Sequence, residues 1–396
     1  MNIRDKFPIY EFNQNLTYLD TAASSLKPKA VIDTIDYYYS HYGVNVHRGV
    51  YGLSYEATDL YEQARDKVAN FINATHNEVI FTRGATQSLN MVANHFLNLN
   101  AGDEIITSEL EHHSNFLPWL EVSKHTKAVL KFVELDQRGR LTVEAFKKVL
   151  SKKTKVVSLT YVSNVMGYIT PIKEIIKLAH EVGALVVVDA AQAAPHMQID
   201  VKDLDCDYLA FSSHKMLGPT GIGVLYGKEH LLNQMEPTEF GGEMVQNVTK
   251  ENASYKTGPF RFEAGTPIIS GAIGLGKAVD FINEIGFEAI HNHTQSLYNY
   301  TMKALETIEG VTVYNEDNDI GLITFNIDDV HPHDAATIFD KNGVALRAGH
   351  HCAQLITKWL GIQASLRASF YIYNTKADAD TFIASVIEVR DFFRRF

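Results

Sequence analysis

Leu209-Ala210-Phe211-Ser212-Ser213-His214-Lys215-Met216-Leu217-Gly218-Pro219-Thr220-Gly221-Ile222-Gly223 is an apolar, strand-like run that delivers a lysine into a glycine-rich turn. Upstream, Leu185-Val186-Val187-Val188-Asp189 reads as a second buried strand, ending in a carboxylate. Continuous apolar runs of this kind belong to strands covered on both faces, the habit of parallel sheets. From about residue 56 to 228 such runs alternate with helical spacing. Helices are expected over Glu56 to Asn73, Thr86 to Phe96 and Pro171 to Val182. Strands are expected at Glu78 to Thr82, Asp103 to Ser108, Val129 to Leu135, Val156 to Tyr161 and Ile222 to Tyr226. That alternation predicts an α/β fold with a mostly parallel sheet between helical layers, and ligands at the carboxyl ends of its strands. Beyond about 230 the pattern loosens. A helix near 271–285 leads to short strands (Val311 to Tyr314, Leu322 to Ile327, Leu366 to Tyr371) and helices (Asp334 to Lys341, Ala377 to Phe393), a smaller α+β C-terminal domain. We place the large domain at 16–280 and the small one at 1–15 and 281–396.

The totals bound the function. A chain of 396 residues suits two domains, and 45% hydrophobic with 21% charged residues is the balance of a globular protein. A net charge of -11 argues against a nucleic-acid partner. No apolar run approaches the roughly 20 residues that span a bilayer, and Met1-Asn2-Ile3-Arg4-Asp5-Lys6-Phe7-Pro8 lacks the apolar core of a secretory signal. Two cysteines, Cys206 and Cys352, make no disulfide framework, so a cytoplasmic, reducing setting is expected.

The chemistry-bearing residues cluster at the expected strand ends. A lysine acting as an amine nucleophile needs a confined pocket and nearby hydroxyls, and Lys215 follows Ser212, Ser213 and His214. Asp189 is placed to pair with a cofactor's ring nitrogen, and Gln192 to reach a ring oxygen. Phe81-Thr82-Arg83-Gly84-Ala85-Thr86 runs from strand to helix, where Gly84 admits an anion to first-turn amides and Thr86 adds a hydroxyl. Ser212 and His214 are close enough in sequence to Lys215 to share that anion. Together these features suggest pyridoxal 5'-phosphate (PLP) held as a Schiff base on Lys215. His112, after the Ile105-Ile106-Thr107 strand, is placed to stack on the ring or move protons, although the His112-His113 pair leaves open which one faces inward. Cys352 lies in Leu346-Arg347-Ala348-Gly349-His350-His351-Cys352-Ala353, beside two imidazoles and near an arginine, a setting that favours thiolate. Cys206, between Asp205 and Asp207, is expected to be buried and inert. A zinc site built from His350, His351, Cys352, His331 and His333 has the wrong spacing, and no metal is expected. Arg367, in an apolar strand, requires an anionic partner: a substrate carboxylate or an internal salt bridge. Asn164 is placed to help hold the same carboxylate.

Across nearly its whole length the sequence resembles the class V, fold-type I PLP enzymes, and among them the SufS-type (group II) cysteine desulfurases. The resemblance rests on Tyr18-Leu19-Asp20-Thr21-Ala22-Ala23, Asn45-Val46-His47-Arg48-Gly49, Glu111-His112-His113, Asp189-Ala190-Ala191-Gln192, Ser213-His214-Lys215, Phe262-Glu263-Ala264-Gly265-Thr266-Pro267, Arg347-Ala348-Gly349-His350-His351-Cys352-Ala353 and Tyr373-Asn374-Thr375. It implies that Lys215 is the Schiff-base lysine and Cys352 the persulfide-forming nucleophile. His112 would be the ring-stacking histidine, Asp189 and Gln192 the ring contacts, and Ala85, Thr86, Ser212 and His214 phosphate contacts. Thr266 would reach the phosphate of a second subunit, which implies a homodimer. Asn164, Arg367, Arg347 and His47 would bind the substrate. Implied partners are L-cysteine, or L-selenocysteine, and a sulfur-acceptor protein of SufE or SufU type in iron–sulfur cluster assembly. Two departures stand out: Leu355 where many relatives have proline after Cys-Ala-x, and Gln87 where they commonly have glutamate. Rival readings are a selenocysteine lyase, another enzyme of the class V aminotransferase family (an aminotransferase or kynureninase-like hydrolase), and an inactive PLP-fold scaffold.

Overall fold

The computed structural model describes residues 3–394. The outer ends of the expected small domain, residues 1–2 and 395–396, lie outside them. Seven strands form the large sheet in the order Val79–Thr82, Gly223–Gly227, Tyr208–Ser212, Leu185–Asp189, Thr154–Thr160, Glu104–Ser108 and Val129–Val133. Only Gly223–Gly227 runs against the rest, so the sheet is mostly parallel. Of its central strands, Tyr208–Ser212 is buried end to end and Thr154–Thr160 at every position but Lys155, as the apolar runs require. One core layer gathers Leu89, Val92, Trp119 and Tyr208 on one face of the sheet. The other face joins the layer of Val68, Ile175 and Ile282.

The helix expected near 271–285 spans Ile269–Ile285 and packs across Gly52–Phe71 and Lys29–His41. Small residues on it permit that approach: a Cβ on Gly276 would sit 3.0 Å from the Cβ of Ala64. The helix passes through position 280 and ends at Gly286 (φ +82°), where the long helix Phe287–Leu305 begins. A second sheet, entirely antiparallel, has the order Val311–Val313, Leu322–Ile327, Ser365–Ser369 and Arg347–Gly349. Helices Phe287–Leu305, Pro332–Lys341 and Lys376–Phe393 cover it over a separate core in which Phe325, Phe339 and Phe382 meet. The N-terminal segment is stitched to this unit. Thr17–Tyr18 pairs with Val344–Ala345, and Arg4 bonds Asp378 at 2.8 Å. Among the described residues no helix is long and apolar enough to cross a membrane.

Candidate active site

Asp189 closes its strand, and the neighbouring parallel strand Tyr208–Ser212 runs into the short turn Ser213–Lys215. Pairing of Asp189 with Ala210 sets the two chain ends side by side. Both residues face a cavity of about 170 Å³ at the carboxyl ends of the strands, the place where open α/β sheets bind ligands. The turn is fixed from behind. The His214 carbonyl accepts from the Ser25 amide (2.9 Å), Ser25 Oγ (3.0 Å) and Lys27 Nζ (2.9 Å). Among the described residues Lys215 Nζ has no hydrogen-bond partner. Burial, with Arg367 and Arg347 nearby, lowers the Lys215 pKa to about 8, against the opposing pull of Asp189. Burial raises the pKa of Asp189, while Lys215 and the Ala191 amide (2.9 Å) hold it down.

The anion cradle stands on one wall. Gly84 has φ +152°, and a Cβ there would lie 3.4 Å from Ser212 Oγ. The Ala85 amide, opening helix Ala85–His95, donates to Ser212 Oγ at 2.8 Å, and Thr86 Oγ1 bonds Ser114 Oγ at 2.7 Å. Ala85, Thr86, Ser114, Ser212 and His214 line the cavity, and Gly84 lines the groove that adjoins it. Burial and the charge of Lys215 lower the His214 pKa to about 4, so its ring is neutral at pH 7. Gln87 accepts from the Arg83 amide (2.7 Å) and donates to Glu239 (2.9 Å). A glutamate at position 87 would set two carboxylates against each other, so Gln87 fits this chain's own surroundings.

The structure settles the histidine pair. His112 lines the cavity, while His113 turns to the segment carrying Cys352. His112 Nδ1 accepts the Ser114 amide (3.1 Å), which leaves the proton of the neutral ring on Nε2. Burial, then the charge of Lys215, brings its pKa down to about 3. Cys352 does not itself wall the cavity, but Arg347 does, and Arg347 Nη2 donates to Cys352 Sγ at 3.3 Å. His351 departs from the expectation that both imidazoles beside the thiol favour thiolate. It is buried, its Nε2 lies 2.9 Å from Ser365 Oγ, and burial with Arg367 lowers its pKa to about 2, so it carries no charge. Cys206 is fully buried, and burial beside Asp207 pushes its thiol pKa far up.

Arg367 is enclosed and makes the internal salt bridge, one of the two readings open to it. Its Nη2 pairs with Asp20 at 3.2 Å and its Nη1 donates to the Asn164 carbonyl at 2.9 Å, while Nε is buried without a partner. Burial lowers its pKa to about 10, against Asp20. Asn164 Nδ2 is spent on the His351 carbonyl at 2.8 Å.

Three of the expected residues do not line this chain's own cavity, and of these only Thr266 was expected to serve a second subunit. Gln192 Nε2 donates to the Ala22 carbonyl (2.7 Å), and it is Ala191, not Gln192, that reaches the cavity wall. His47 is not in that wall; its Nε2 holds Glu62 at 2.8 Å and its ring packs edge-on against Phe260 and Tyr61. Thr266 is exposed and lines open grooves beside the site. Conversely, Ala22, Ala23 and Ser114 line the cavity and Asp20 backs it through Arg367, unassigned from sequence. The one signal for the first two was their place in Asp20-Thr21-Ala22-Ala23, small residues that let the chain pass close to a ligand.

Fold and site together define an α/β protein with an enclosed lysine amine, a carboxylate and an arginine converging at the strand ends of a parallel sheet. The chain belongs to the aminotransferase class-V family, whose model matches residues 17–382. A protein of Halalkalibacterium halodurans described as a probable cysteine desulfurase is 51% identical over 397 residues, covering 99% of this chain and 98% of its own length. The apo structure of the cysteine desulfurase from Thermococcus onnurineus superposes with a TM-score of 0.95 at 40% identity, over 98% of both chains. The cysteine desulfurase CsdA from Escherichia coli, solved as its S-sulfonic acid, gives 0.92 at 38% identity, over 98% of both chains.

Proposed function

We propose that this chain is a PLP-dependent cysteine desulfurase that converts L-cysteine to L-alanine and keeps the sulfur as a persulfide on Cys352. The observation that carries the reading is the meeting, at one cavity, of an unpartnered lysine amine, a buried aspartate and an arginine bonded to a thiol. The residues present fit PLP. Lys215 Nζ is free, the Ala85 amide and the hydroxyls of Thr86 and Ser212 suit a phosphate, and Arg367 Nε awaits an acceptor. When bound, the cofactor supplies the electron sink that weakens bonds at the substrate's Cα and Cβ. Asp189 is placed to hold a proton on the ring nitrogen, and neutral His112 offers an uncharged ring to a flat ligand. Arg367, whose Nε has no partner, is suited to orient the substrate carboxylate, whereas Asn164 would have to release the His351 carbonyl to join it. Lys215, with a pKa lowered to about 8, is suited to take the Cα proton near neutral pH. Cys352 Sγ, held by Arg347, then attacks the substrate sulfur. The Cβ–S bond breaks, its electron pair stays with carbon, and the carbon fragment gains a proton and leaves as alanine.

The persulfide so formed would pass to a sulfur-acceptor protein of SufE or SufU type, serving iron–sulfur cluster assembly. Two free thiols suit the reducing cytoplasm. A homodimer is supported by the site's opening: grooves run on from Thr86 and His214 past Arg83 and Glu239 to Thr266, Ile268 and Tyr39. The test compares wild type with Cys352→Ser after loading with PLP. The variant is expected to keep the cofactor's absorbance, still change its spectrum on adding cysteine, and release no alanine. Full alanine formation by the variant, or transamination of a keto acid by wild type, would overturn the reading.

A further inference from the structure

The segment Gln354–Trp359 begins one residue after Cys352, and the intervening Ala353 has no side chain able to bond its first amides. A partner comes instead from 241 positions away: His113 Nε2 accepts the Gln354 amide at 3.2 Å. The same residue's own amide donates to the Cys352 carbonyl at 2.7 Å. His113 therefore grips the chain on both sides of Ala353. On the far side, the Asn164 amide holds the His351 carbonyl. His351 and Cys352 both have positive φ, +53° and +56°, a conformation that side-chain-bearing residues seldom hold unsupported. His113 is also the immediate neighbour of His112, whose ring lines the cavity.

We propose that His113 is a positioning residue for Cys352: its imidazole, acting as an acceptor for the Gln354 amide, holds the thiol in register with the cavity that His112 and Lys215 line. The proposal rests on the reading of Cys352 as the nucleophile. It separates two jobs within one dipeptide. His112 serves the cavity, and His113 serves the chain that brings sulfur to it. Neither does the other's work, so the pair is not redundant.

The experiment compares PLP-loaded wild type, His113→Leu and His113→Gln. Glutamine sets an oxygen acceptor near the place of Nε2; leucine fills the space without one. His113→Leu is expected to speed hydrogen exchange at the Gln354 amide about three- to fivefold and to lower kcat for alanine formation by a similar factor. Its KM for cysteine and its cofactor absorbance should stay as in wild type. His113→Gln is expected to restore both exchange and kcat. Wild-type exchange at Gln354 in His113→Leu would overturn the proposal. So would faster exchange with unchanged kcat, because the contact would then be structural alone. Failure of all three proteins to form alanine would overturn the desulfurase reading and the proposal with it, and it is recognisable because it strikes wild type too.

Discussion

Glu111 stands one residue before His112 and is enclosed on all sides. Its carboxylate accepts from Ser108 Oγ and Asn115 Nδ2, each at 2.6 Å, and among the described residues no cation pairs with it. Burial, reinforced by Asp189, raises its pKa to about 8 against those hydrogen bonds. The folded protein thus binds this proton more tightly than the unfolded chain does. Its contribution to stability is complete below the unfolded carboxylate pKa and is lost as pH rises through about 8. Glu111→Gln, which cannot ionise, is expected to flatten that part of the stability–pH profile. Thermal unfolding at pH 5 and pH 9 checks it: wild type should lose on the order of a few kcal/mol more than the variant across the interval. An equal loss in both would show Glu111 to be ionised throughout. At this scale the sequence declared residues whose chemistry is unusual where they stand, such as a lysine after a strand or an arginine inside one. It could not declare Glu111 or Asp20, because what makes them unusual is enclosure by chain segments far away in sequence. The same limit bears on Gln192: a spacing of three after Asp189 aims both at one ring only if nothing nearer takes the amide, and here the Ala22 carbonyl accepts it.

Elements were more legible than their partners. Leu185–Asp189 and Leu322–Ile327 lie where the apolar runs put them, and most helix ends agree to within a few residues. The reversal of Gly223–Gly227 was not legible, since an apolar run reads the same in either direction. Helices Lys29–His41 and Phe287–Leu305 were not read at all, and strand Arg347–Gly349 was taken only as the approach to Cys352. The Phe262–Pro267 motif shows what pairing information would have added. Glu263 is buried and takes Arg65 Nη1 at 2.6 Å, Tyr61 Oη at 2.9 Å and the Phe81 amide at 2.8 Å, tying the Thr266 segment to helix Gly52–Phe71 and strand Val79–Thr82. Removing one member of a buried ion pair strands the other's charge. Arg65→Met is therefore expected to cost roughly 3–5 kcal/mol in denaturant unfolding, and Arg65→Met with Glu263→Gln to recover part of that loss. A double variant less stable than the single would mean that the carboxylate's bonds to Tyr61 and Phe81 outweigh its stranded charge.

For the whole molecule, the apolar surface and the expected residues that stand outside the cavity bear on one question. Val50 is 87% exposed, Tyr39 65% and Phe240 64%; Tyr39 lines one groove beside Thr266, and Phe240 follows Glu239, which lines the other. Thr266 stands outside its own chain's cavity, and His47 is held near Phe260 rather than in the cavity wall. A second copy covering this face would bury the apolar side chains and bring Thr266 to the neighbouring anion cradle, whereas within one chain Thr266 lies outside the cavity wall. Sequence periodicity cannot report such completion, because it marks what faces inward within one chain. Sedimentation at micromolar concentration is expected to give a dimer. Val50→Glu combined with Phe240→Glu, two changes on side chains that are mostly exposed, should leave circular dichroism unchanged and shift the protein toward monomer. If Thr266 serves the neighbour's phosphate, PLP should dissociate at least about tenfold more readily from that monomer, a loss of roughly 1.4 kcal/mol. A wild-type monomer that retains PLP fully would show the cradle of Ala85, Thr86 and Ser212 to be sufficient within one chain, and the exposed face would then need another occupant.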